Sequence, residues 1–155
     1  MSLPYGTGFS PLMGEPRMGM IPIAKRTPLE VTLTTAGGVR TLTAAEVLGG
    51  LLVINCDDAQ TATLPTAALL NAAVPGAHVG ASFDVDIVNI GDTTLTIAVG
   101  TGGTLVVGNS KSTVATIVTN AAKRLVIRIT GVINDGDTSD AYVVYGFGST
   151  AAAVA

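Results

Sequence analysis

The sequence predicts an all-β protein: an antiparallel β-sandwich or barrel-like domain with one short helix, preceded by an extended N-terminal arm. Three observations carry this expectation. The composition breaks near Leu29, because all four Met and five of the seven Pro precede it. Beyond that point the chain is rich in Thr, Val, Ala and Gly, and apolar residues alternate with polar ones at the period of a half-buried strand. Turn signals separate the alternating runs at intervals of about ten residues, as in a sandwich or barrel.

Residues 1–28 come first. Their apolar side chains (Leu3, Tyr5, Phe9, Leu12, Met13, Met18, Met20, Ile21 and Ile23) stand singly or in pairs between Gly and Pro, without helical or strand periodicity. Each Pro fixes its own φ and biases the preceding residue toward extended backbone. Disordered tails are poor in apolar residues and rich in charge, so this segment reads instead as an arm that lies on another protein. At ~3.3 Å per residue it reaches ~90 Å when stretched.

The β domain is expected over residues 29–150. Leu29, Val31 and Leu33 alternate with Glu30, Thr32 and Thr34, and Gly37-Gly38 marks a turn. A helical turn over Ala44–Leu48 is capped by Thr43. Leu51–Cys56 is a continuous apolar run of strand length, expected to be covered on both faces. Thr66–Val74, bounded by Pro65 and Pro75-Gly76, is the convincing helix, with Thr66 as N-cap and mostly good helix formers behind it. Alternation then predicts strands at Ser82–Ile87, Thr94–Val99, Thr104–Val107, Val114–Thr119, Arg124–Ile129 and Tyr142–Phe147, with a turn at Asp135-Gly136-Asp137. The Ala-rich end, residues 151–155, reads as a frayed tail. No internal repeat and no heptad pattern stands out.

Composition narrows the partners. Charged residues are 12% of the chain against ~25% in an average protein, while hydrophobic residues are 48%. A surface so poor in charge is expected to be covered in part by other proteins. The net charge of -3 gives no electrostatic reason for nucleic acid or an anionic membrane as partner, and the absence of Trp argues against stacking platforms for bases or sugars. Cys56 is the single cysteine, so it forms no intrachain disulfide and reads as a small buried hydrophobe. The N-terminus lacks the continuous apolar stretch of a signal peptide, and no apolar run approaches the ~20 residues of a membrane span. The expectation is a chain made and used without secretion.

Each chemical candidate meets a plainer structural reading. His78 is the only histidine and follows Pro75-Gly76, without a nucleophile-elbow motif or further zinc ligands at short spacing. Asp135, Asp137 and Asp140 alternate around a Gly like calcium ligands but lack the spacing and closing Glu of an EF-hand; loop carboxylates accepting backbone N–H bonds account for them. Gly100-Thr101-Gly102-Gly103 lies between strands, with no helix start and no Lys for a phosphate, and reads as a permissive turn. Asp84 and Asp86 share a strand face, as do Arg124 and Arg128, so cross-strand ion pairs are expected rather than a glycosidase pair. No catalytic residue, metal, cofactor or small-molecule substrate is expected.

The motifs Leu42-Thr43-Ala44, Leu64-Pro65-Thr66-Ala67, Val79-Gly80-Ala81-Ser82-Phe83 and the Thr-rich hairpin Leu95 to Gly102 give residues 29–148 a resemblance to β-rich structural domains of tailed bacteriophages. The pattern is similar to capsid decoration (cement) proteins and, as an alternative, to receptor- or glycan-binding modules of head or tail fibres. The resemblance implies a small β-sandwich of jelly-roll or tulip-like type, synthesised in the host cytoplasm, that sits as a homotrimer on the outer surface of the virion. There it would bridge major capsid subunits against internal DNA pressure, with the nine apolar arm residues named above as its capsid contact. A small hydrolase or lyase built on Asp84, Asp86 and His78 is the remaining, weakest reading.

Overall fold

The computed structural model describes residues 29–33, 38–107, 110–112 and 114–147. The proposed arm with its nine apolar residues and the tail at 151–155 lie outside the described residues, as does Gly37 of the first expected turn. The strands are β1 (Leu29–Leu33), β2 (Val39–Thr41), β3 (Leu51–Cys56), β4 (Gln60–Thr63), β5 (Ser82–Asn89), β6 (Leu95–Ala98), β7 (Gly103–Val107), β8 (Ser110–Ser112), β9 (Val114–Ile117), β10 (Ala121–Gly131) and β11 (Ala141–Phe147). Two short helices interrupt them, α1 (Ala44–Leu48) and α2 (Ala67–Ala73).

The strands form a seven-stranded sheet in the order β1-β3-β5-β10-β11-β7-β8 and a four-stranded sheet in the order β2-β4-β6-β9. Both are mixed, which corrects the antiparallel expectation and departs from a jelly-roll. β1, β3 and β5 run parallel, as do β2, β4 and β6, and β7 runs parallel to β11. The reason lies in the path of the chain. From β1 to β6 it alternates between the sheets, so each return to a sheet passes through the other one, and such a crossover brings the next strand in parallel.

This path also reveals a repeat. β1-β2-α1 and β3-β4-α2 are successive strand–strand–helix units, and β5-β6 begins a third. The first two share a signature, Thr41-Leu42-Thr43-Ala44-Ala45 and Thr63-Leu64-Pro65-Thr66-Ala67-Ala68, offset by one inserted Pro. Leu42 N–H donates to Thr63 O at 2.8 Å and Leu64 N–H to Ala98 O at 2.8 Å, so the ladder continues past each strand into the turn that starts the helix.

Helix capping follows the sequence. Thr43 accepts from Glu46 N at 3.2 Å while Glu46 Oε2 accepts from Thr43 N at 2.7 Å, a reciprocal capping box. Thr66 Oγ1 accepts from Leu69 N at 3.4 Å. The third unit has no helix. Its return is the loop from Gly100 to Gly103, clamped by Tyr142, whose hydroxyl donates to Pro65 O at 2.9 Å and accepts from Gly100 N at 3.1 Å.

One hydrophobic core lies between the sheets. Leu52, Ile54, Val85, Ile87, Leu125, Ile127 and Val144 of the larger sheet meet Ala62, Leu95, Ile97, Ala115 and Ile117 of the smaller, with Leu42, Val47, Leu64 and Leu70 closing the helix side. Each large side chain so buried contributes about 1.5–3 kcal/mol. On β3 the alternation is sharper than the apolar run implied. Leu52, Ile54 and Cys56 are buried, whereas Leu51, Val53 and Asn55 are half-buried because they face outward from the sheet.

Candidate functional site

The polar side chains weighed as chemistry are placed by the strands as follows. On β5, Asp84 and Asp86 point outward, and the β5–β10 register sets Arg124 opposite Asp86. Arg124 grips Asp86 with two bonds, Nε to Oδ1 at 2.7 Å and Nη2 to Oδ2 at 2.9 Å, while Asp84 Oδ2 lies 3.8 Å from the same Nε. These contacts, Asp86 first, raise the guanidinium pKa above its ordinary value. The cross-strand ion pair expected from sequence is thus formed by Arg124; Arg128 stands opposite Ser82 instead.

His78 lies exposed in the loop after α2, its Nδ1–H donating to Gly76 O at 2.9 Å. The glycine loop is shaped by packing. A side-chain carbon on Gly103 would meet the Tyr142 ring at 2.5 Å, and one on Gly100 would meet Leu64 O at 2.6 Å. Gly102, at φ +81°, needs the left-handed conformation as well. Burial pushes the Tyr142 phenol up to about 12, against a smaller lowering effect of the Gly100 N–H bond. Cys56 is buried, and desolvation, helped by Asp57, pushes its thiol above the ordinary range.

The acidic loop behaves as a hairpin cap. Asp137 Oδ2 accepts from Val132 N at 3.0 Å, and Asp140 Oδ1 accepts from Ile133 N at 3.2 Å and from Asn71 Nδ2 at 2.7 Å. Asn71 Nδ2 also donates to Gly131 O at 2.8 Å, tying α2 to the end of β10. A cleft of about 300 Å³ opens beside this junction, lined by Ala68, Asn71, Ala72, Val74, Val132, Asn134 and Asp140 among others. Asn71 Oδ1 is buried at its wall without a hydrogen-bond partner among the described residues. Among the described residues no three of His, Cys, Asp and Glu gather as a metal-ligand set, and no helix is long and apolar enough to cross a membrane.

Some polar residues escaped sequence reasoning, Asn71 and Asn89 among them. Asn71 sits in a helix whose pattern explains itself without it, so nothing flagged a tether. Asn89 is fully buried at the end of β5 and holds the β5–β6 turn. Its Nδ2 donates to Thr93 O at 2.7 Å and Ile117 O at 3.0 Å, and its Oδ1 accepts from Gly91 N at 3.0 Å. An Asn closing an alternating strand before a Gly is the signal for such a turn.

The two outer faces differ in chemistry. The larger sheet turns Asp84, Asp86, Arg124 and Arg128 outward among Val126, Val143 and Tyr145. The smaller sheet presents two rows set by its registers, Val39-Thr61-Thr96-Thr116 and Thr41-Thr63-Ala98-Val114. Val39 is 70% exposed, and Leu69, Ile133 and Phe147 are other large apolar side chains open to solvent. Comparison with known protein families, curated proteins and solved structures finds no match to this chain.

Proposed function

We propose that this chain is a non-enzymatic structural protein of a virion. It decorates the outer surface of an icosahedral phage head as a homotrimer and reinforces contacts between major capsid subunits, with residues 1–28 as the principal capsid contact. One observation supports this above others. The polar side chains weighed as chemistry are hydrogen-bonded or ion-paired within the fold, while large apolar side chains such as Val39, Ile133 and Phe147 face solvent. Such a molecule works through its surfaces.

The energetics suit an arm-and-scaffold design. Docking each large apolar arm residue contributes about 1.5–3 kcal/mol, and ordering its backbone offsets about 1–2 kcal/mol per residue. One arm binds modestly; three arms on one trimer bind with avidity if they reach their sites together. The test is co-sedimentation with heads assembled from the cognate major capsid protein. The full chain is expected to pellet with the heads, whereas a chain lacking residues 1–28, checked for folding by circular dichroism, stays in the supernatant. Undiminished binding of the shortened chain would sink the arm's role, and failure of both would sink the decoration role.

A second reading, a fibre module that binds a host receptor or glycan, rests on the cleft at α2 and the loop from Ile133 to Asp140, where amide and carboxylate groups meet apolar walls. Binding of the isolated protein to host cells but not to heads would favour it.

A further inference from the structure

We draw no further inference here: the strongest candidate, the cleft between α2 and the loop from Ile133 to Asp140, already carries the second reading above, its Asn71 amide nitrogen and Asp140 carboxylate are spent in tying α2 to the hairpin, and nothing in the structure shows what would fill it.

Discussion

The second and third units of the stack reach the same place by different means. Both run from the larger sheet to the smaller and must then turn back. In β3-β4-α2 the return is a helix, started by Pro65 and capped by Thr66, and its fit depends on Leu70 reaching the core. In β5-β6 it is a loop whose Gly100, Gly102 and Gly103 have no room for a side-chain carbon, held by backbone hydrogen bonds to Ala67 and Tyr142 and by the buried Tyr142 phenol. A helix spreads its stability over several small contributions, whereas the side-chain anchor of the loop is Tyr142, set beside its backbone hydrogen bonds. The two closures should therefore respond to mutation and to pH in different ways.

The largest effect is expected at Gly103→Ala. The added carbon has no room beside a Tyr142 ring that is 1% exposed and cannot swing aside. Overpacking of this kind costs about 3 kcal/mol, read as a fall in the urea midpoint. Next comes Tyr142→Phe, which keeps the ring but leaves Gly100 N–H and the buried Pro65 carbonyl without their partner, at about 2 kcal/mol.

The same phenol sets the pH response. Its folded pKa of about 12 lies above the ordinary 10.0 of a free tyrosine. Above the ordinary value the unfolded chain releases this proton first while the folded chain keeps it. The stabilisation is therefore complete below pH 10 and is lost as the pH climbs from 10 toward 12, by on the order of 2 kcal/mol. Comparing urea midpoints of wild type and Tyr142→Phe across that window isolates this contribution. Parallel curves separated by a constant gap would contradict the clamp.

The helical closures should give way more gently. Thr43→Ala and Thr66→Ala are each expected to cost about 1 kcal/mol, through loss of the cap to Glu46 N and Leu69 N respectively. Smallest of all is Arg124→Ala. The exposed pair with Asp86 is well formed, yet such pairs contribute little, and the melting midpoint should stay essentially where it was. A large drop there would show that the charged face carries stability credited here to the core.

The same comparison explains what was legible in the sequence. Strands with strict alternation, such as Leu125-Ile127-Ile129, and helices with Thr caps announce themselves, because their signals lie within a few neighbouring residues. β2 and β4 did not, being three or four residues of Val, Arg, Thr, Gln and Ala with little apolar weight. Missing them hid the second sheet's parallel pairing, and with it the repeat, whose third copy replaces the helix with glycines. The ion pair of Arg124 with Asp86 was readable because a strand fixes which residues share a face. The clamp on Gly100 was not, since Tyr142 lies 42 residues away and only the parallel pairing of β7 with β11 brings the two together.

On the proposed function, this stack of units is a scaffold that lies on a capsid. The most direct measurement is a cryo-electron microscopy map of heads carrying the chain. Three copies are expected around a three-fold or quasi-three-fold position on the outer surface, with residues 1–28 extended across the major capsid protein. Heads that bear no density for the chain, with the protein located instead at the tip of a fibre, would contradict it.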